Sequence, residues 1–187
     1  SKSEGKIVVE LYPNAQLGSA DTYLDTLRQG TIQMASPGSV MAQLQRLVGA
    51  PEMPFLFRDW DHAKAVLTDP KMTDVLTEGM IEKLGIRTLG FAPRSFRVIS
   101  SNKELNNMDD LKGLRIRVPN IPFYIKFAEA IGTSPVALPL TELFSALEQG
   151  VVEAQENPYA TIETSKYYEV QKYILETNHI FTTHGWY

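Results

Sequence analysis

The chain has 187 residues, 43% of them hydrophobic, enough to bury a core in one large domain or two small lobes. It carries 18 Lys and Arg against 22 Asp and Glu, a formal net charge of -4, so it lacks the basic balance that nucleic acid demands and points to a small partner instead. The absence of cysteine excludes disulfides, thiolate nucleophiles and Cys-ligated zinc. No apolar run approaches the roughly 20 residues that span a bilayer, and Ser1 to Gly5 is too polar for the apolar core of a signal peptide.

Along the chain, Ile7, Val9 and Leu11 alternate within Lys6 to Tyr12 before Pro13-Asn14, which predicts a strand and a turn. Ser19 or Asp21 opens a helix through Leu27 that Gly30 stops, and Thr31 to Ala35 is expected as a strand. Helices are expected over Val40 to Val48, Asp59 to Leu67 and Asp74 to Leu84, then strands over Ile86 to Phe91 and Phe96 to Ser100. Asn106 to Asp110 is a turn or helix start, and the strand Leu114 to Val118 ends at Pro119, which has no N–H to extend a ladder. Further helices follow from Pro122 to Gly132 and from Thr141, as N-cap, through Glu148 to Gly150. Val151 to Gln155 is expected as a short strand and Pro158 to Glu176 as a long helix. Such interleaving predicts an α/β fold with mainly parallel sheets.

Two short motifs carry chemistry. In Arg117-Val118-Pro119, a planar guanidinium at the end of a strand can offer parallel donors to both oxygens of a carboxylate. Alternation places Arg115 and Arg117 on one face, opposite Leu114, Ile116 and Val118, so spacing does not choose between a ligand role and a solvated one. In Gln155-Glu156-Asn157-Pro158, Asn157 stands where it can cap the following helix, beside amides that suit an anion. Arg97, one strand earlier, is a second candidate cation, and Arg94 a weaker one. Phe55, Leu140 and Tyr159 are candidates for shaping a pocket, and the loop from Ala35 to Ser39 is expected to face it because α/β ligands bind outside the carboxyl ends of strands. His62, His179 and His184 show no metal-binding spacing. No P-loop, dinucleotide fingerprint or nucleophile elbow is present, so neither metal nor cofactor is expected.

Taken together, a set of ordered blocks resembles the solute-binding proteins of tripartite ATP-independent periplasmic (TRAP) transporters, the DctP family. The blocks include Tyr12-Pro13-Asn14-Ala15-Gln16-Leu17-Gly18, Leu27-Arg28-Gln29-Gly30, Pro54-Phe55-Leu56-Phe57 and Ser101-Asn102-Lys103. They continue with Leu111-Lys112-Gly113-Leu114-Arg115-Ile116-Arg117-Val118-Pro119, Ala146 through Pro158, Tyr168 through Tyr173 and Thr177-Asn178-His179. The resemblance implies a periplasmic-binding-protein-like fold of two hinged lobes. It also implies a role in which the receptor closes over a small organic acid outside the cytoplasm and passes it unchanged to TRAP transporter membrane subunits.

On that resemblance, Arg117 forms a two-pronged salt bridge to the ligand carboxylate and Asn157 assists, with Arg97 and Gln155 nearby. Lobe one is expected over residues 1–93, lobe two over 94–182, and 183–187 begins the crossing back. The chain starts at what matches the family's second strand and stops soon after Asn178-His179, so a fragment is expected. It would lack the opening strand and helix of lobe one and the long C-terminal helices. Two other readings remain: an enzyme acting on a carboxylated metabolite, with Glu156 or Glu142 as general base, and a ligand-sensing domain of a signalling protein.

Overall fold

The computed structural model describes residues 3–187. Its first regular element starts where a hydroxyl can satisfy an otherwise unpaired helix amide: Ser19 accepts from Thr22 N and opens helix α1, Ala20–Arg28. Asp59 does the same for α2, Trp60–Leu67, and Asp69 for α3, Pro70–Leu76, where Pro70 occupies the first turn that needs no donor. Helix α4, Met80–Leu84, is bracketed by Gly79 and Gly85, both in the left-handed region that favours glycine.

Strand β1, Gly90–Phe96, leads almost directly into β2, Val98–Ser101, so one extended run connects two sheets. The first is an antiparallel ribbon of β1 and β7, Phe181–Trp186. The second has the order β4-β3-β5-β2-β6, with β3 at Arg115–Val118, β4 at Ser134–Ala137, β5 at Ala154–Asn157 and β6 at Tyr173–Leu175. Helices α5, Pro122–Ala130, α6, Leu143–Glu148, and α7, Tyr159–Thr164, complete this half.

Both faces of the five-stranded sheet are covered, which is why β2 and β5 are buried at every position. On one face Ile99, Ile116, Val118 and Ala154 pack with Tyr124 and Ala128 of α5. On the other, Val98 packs with Leu143, Leu147, Ile162 and Tyr167. The helical half has its own apolar cluster, in which Leu24, Met41, Met80 and Tyr187 meet, and Phe57, Leu67 and Phe181 fill the seam beside the ribbon.

The α/β class matches expectation, but the sheet pairing is mixed rather than mainly parallel. It is parallel in β3–β4 and β3–β5, and antiparallel in β1–β7, β2–β5 and β2–β6. The crossing run through β1 delivers β2 in the reverse direction between β5 and β6. Lys6 to Tyr12 forms no strand: Ile7 is 71% exposed and no ladder partner lies beside it among the described residues. Alternation needs a neighbouring strand to become structure. Thr31 to Ala35 is likewise irregular, and Val40 to Val48 consists of two 3-10 segments, Gly38–Gln43 and Arg46–Glu52, instead of an α-helix.

The expected helix from Asp74 to Leu84 is divided between α3 and α4 at Gly79. The strand expected over Ile86 to Phe91 begins only at Gly90. Thr141 is not a cap, because Leu140–Glu142 is a 3-10 turn and α6 starts at Leu143. The long helix from Pro158 to Glu176 is the largest difference. It ends after Thr164, the chain turns at Lys166 with φ 55°, and Tyr173–Leu175 leaves to pair with β2.

Candidate anion-binding site

A cavity of about 230 Å³ lies between the helical half and the five-stranded sheet. The start of α1 (Ser19 to Asp21), the loop Ser36 to Ser39 and Gln43 line it from one side. From the sheet side come Arg94, Arg97, Arg117, Pro119, Asn120, the segment Leu138 to Thr141, Asn157, Thr161, Thr182 and His184. Three guanidinium groups on one small cavity make it a place for negative charge, and their environments differ.

Arg117, 3% exposed, projects from β3 and donates Nε and Nη2 to the carbonyl oxygen of Leu138 at 2.9 and 2.6 Å. Its Nη1 makes no hydrogen bond within the described residues, and no carboxylate there lies within salt-bridge distance. Burial pushes its pKa down to about 10; the Glu156 charge opposes that shift and the Arg97 charge adds to it. A buried cation without a counter-ion is costly, and an anion entering the cavity relieves that cost.

Arg97, 5% exposed, is already satisfied. Its Nε and Nη2 form a two-pronged ion pair with the Glu156 carboxylate. Nη2 also donates to Glu156 O at 2.7 Å and Asn157 Oδ1 at 3.1 Å, Nη1 reaches Thr182 Oγ1 at 3.2 Å, and the Tyr124 ring lies 5.1 Å from the guanidinium carbon. Burial penalises the Glu156 charge, but Arg97 and the His179 hydrogen bond outweigh it and hold the carboxyl below its usual range. His179 contacts Glu156 Oε2 at 3.3 Å and Thr177 at 2.6 Å, and stacks on Phe127 with ring centroids 4.8 Å apart.

Asn157 does not cap α7; Pro158 occupies the cap position and no side chain serves it. Instead Asn157 closes β5, with Nδ2 donating to Gln155 Oε1 at 2.6 Å while Gln155 Nε2 donates to Ser100 Oγ at 2.7 Å and Ser100 Oγ to Gln171 at 2.8 Å. This relay orients the Asn157 carbonyl oxygen toward Arg97.

The structure therefore brings Arg117, Asn157, Arg97 and Leu140 to one cavity, with Gln155 buried behind Asn157 and not in the wall. Phe55 and Tyr159 lie outside it. Phe55 is held elsewhere by its amide, which donates to His179 O at 2.7 Å, and its ring meets Phe127 edge-on. Tyr159 is half exposed and donates to Glu176 at 2.7 Å, a bond that pushes its pKa up to about 12.

Of the loop expected to face the cavity, Ala35 to Ser39, the residues Ser36 to Ser39 line it and Ala35 does not. Glu142, one of the two glutamates considered as a base, is exposed and outside the wall, and Glu156 is committed to Arg97. The wall also holds Asp21, expected only as a helix cap, His184, weighed only as a metal ligand, the weaker candidate Arg94, and Gln43 and Asn120, which no motif marks. Sequence reasoning passed over Glu52, a fully buried carboxyl that accepts from Thr183 N at 3.1 Å and Tyr124 OH at 2.9 Å. Burial raises the Glu52 pKa despite those bonds and the field of Arg97. Glu52 sits among prolines in a segment that reads as loop, so no periodic signal marks it.

A mixed α/β scaffold with three arginines on one cavity has the chemistry to hold an anion. The chain belongs to the DctP family, described as bacterial extracellular solute-binding protein, family 7, which matches residues 1–186. A solved TRAP periplasmic solute-binding protein from Haemophilus influenzae RdAW with bound L-gulonate is 43% identical with a TM-score of 0.93, over 99% of this chain and 60% of that one. Its counterpart from Desulfovibrio desulfuricans, with bound sn-glycerol-3-phosphate, is 38% identical with a TM-score of 0.92, over 98% of this chain and 59% of that one. The sialic acid-binding periplasmic protein SiaP of Vibrio cholerae is 36% identical over 95% of this chain and 56% of its own length. The chain thus spans little more than half the length of the curated relatives it matches. The fold of these relatives is two-lobed, and they are solute receptors.

Proposed function

We propose that the protein is an extracytoplasmic receptor that binds a small organic acid in the cavity and delivers it, chemically unchanged, to the membrane subunits of a TRAP-type transporter. The observation that carries this reading is Arg117, a buried guanidinium facing the cavity with no carboxylate within salt-bridge distance among the described residues. Two of its donors are fixed on Leu138 O, which locks the plane of the fork, and Nη1 is left for the ligand. Asn157 and the Arg97–Glu156 pair form the adjoining wall. Closing the lobes excludes water and strengthens these charge-assisted bonds.

The sugar acid and the glycerol phosphate held by the two solved relatives are small hydroxylated anions, which supports reading the arginine-lined cavity as a site for an acid. Binding rather than catalysis fits the wall, since Glu156 is held ionised in its pair with Arg97 and is unsuited to take up a proton near neutral pH. The test is a thermal-shift screen of organic acids on the full-length receptor. At least one acid should raise the melting temperature, because a ligand specific to the folded state stabilises it by mass action. Arg117→Ala should abolish that response while the fold survives; an undiminished shift would remove Arg117 from the site.

A further inference from the structure

Arg94 is the other cavity arginine without a carboxylate partner among the described residues. In the β1–β7 ladder Pro93 pairs with Thr183 and Ser95 with Thr182, so Arg94 is the extra residue of a β-bulge. A bulge adds a side chain out of register with the alternation, a device that re-aims residues beside binding sites. Arg94 accordingly faces the same cavity as Thr182 and His184 of the partner strand. Its Nη1 lies 3.1 Å from His184 Nε2, and His184 Nδ1 lies 3.5 Å from Ser36 Oγ, so the imidazole braces the guanidinium against the loop. Burial and the Arg94 charge hold His184 below its ordinary pKa, which keeps Nε2 free to accept. The remaining donors of Arg94 make no hydrogen bond among the described residues.

The helical side of the cavity offers the complementary chemistry. Asp21 Oδ1 accepts from Gln43 Nε2 at 2.9 Å, the same nitrogen reaches Asn120 O at 3.0 Å, and Asp21 Oδ2 accepts from no group of the described protein. Donors on one side and a carboxylate acceptor on the other suit a hydroxyl, which both accepts and donates. A second carboxylate would satisfy Arg94 but face the charge of Asp21.

We propose that Arg94, braced by His184 and Ser36, is a specificity-determining residue that reads hydroxyl groups of a polyhydroxy monocarboxylate whose carboxylate rests on Arg117. This rests on the receptor reading above. Calorimetry on the full-length protein with three six-carbon probes tests it: D-gluconate, hexanoate without hydroxyls, and adipate with a second carboxylate. Gluconate should bind at least about tenfold more tightly than either of the others, since a site built to hydrogen-bond hydroxyls rejects analogues lacking them. Arg94→Met should cut gluconate affinity about tenfold or more and leave hexanoate within about twofold, collapsing the selectivity ratio; His184→Ala should move the ratio the same way by a smaller factor. Arg94→Lys, which keeps the charge without the fork, serves as the folding control and should restore only part of the ratio.

An unchanged ratio in Arg94→Met overturns the subsite. Adipate binding more tightly than gluconate overturns the hydroxyl assignment. If other acids shift the melting temperature while none of these three binds, the receptor stands and this subsite falls. If no acid of any kind binds, the receptor reading itself fails.

Discussion

The junction of β1 and β2, backed by β5, and the strand β3 each place an arginine on the same cavity, but they treat its charge differently. Between β1 and β2, Arg97 is saturated by Glu156, Asn157 and Thr182, and Glu156 is in turn held by His179. On β3, Arg117 has a carbonyl oxygen and, among the described residues, no carboxylate partner. Equal burial therefore does not mean equal pairing: the first arginine is matched inside the protein, and the second is the one we propose for the ligand. On that proposal the burial of an unpartnered cation is tolerable because a bound acid would complete the pair.

The largest effect should come from breaking the saturated wall. Arg97→Met strands the Glu156 carboxylate in the interior, and urea denaturation of the full-length protein should show a loss of about 3–5 kcal/mol. A loss below about 1 kcal/mol would mean that Arg97 is not the structural member of the pair. Arg117→Ala should do the reverse. It should weaken acid binding by about a hundredfold, roughly 2.7 kcal/mol, while stability without ligand changes by about 1 kcal/mol or less.

The two buried glutamates sharpen the contrast through pH, with opposite signs. Glu156 has a folded pKa below its ordinary 4.5, so its contribution to stability is present above 4.5 and disappears as pH falls through the folded value. Glu52 has a folded pKa raised above 4.5, so its contribution is complete below 4.5 and is lost as pH rises through the folded value. Denaturation midpoints followed across pH should lose the acid-side slope in Glu156→Gln and the slope above pH 4.5 in Glu52→Gln, each at most about 1.4 kcal/mol per pH unit. The smallest effect belongs outside both walls. Tyr159→Phe should leave ligand affinity unchanged and alter stability by about 0.5 kcal/mol or less, since its bond to Glu176 is on the surface.

Elements whose stabilising contacts are local were legible. Ser19 and Asp59 announce helix starts because their side chains bond amides three residues away, and Pro119 ends a strand because it has no N–H. Elements that need a distant partner were not. Lys6 to Tyr12 alternates like a strand yet pairs with none among the described residues. Tyr173 to Leu175 looks helical in sequence yet joins β2, because a turn at Lys166 redirects the chain and an open sheet edge is available.

The same division holds for the cavity. The residues of Arg117-Val118-Pro119 and Gln155-Glu156-Asn157-Pro158 stood out by their chemistry, and alternation placed Arg115 and Arg117 on one face. Only packing made Arg115 exposed and bound to Glu153 while Arg117 lies buried beneath Leu138. Residue type, local capping and ordered motifs determined the α/β class, the family and which side chains can hold an acid. Tertiary structure decided that Arg97 pairs with Glu156 from 59 positions away, that a bulge turns Arg94 inward, and that Phe55 and Tyr159 stay outside. Counter-ions and ladder partners are non-local, and a chain read in order does not say which charges will meet.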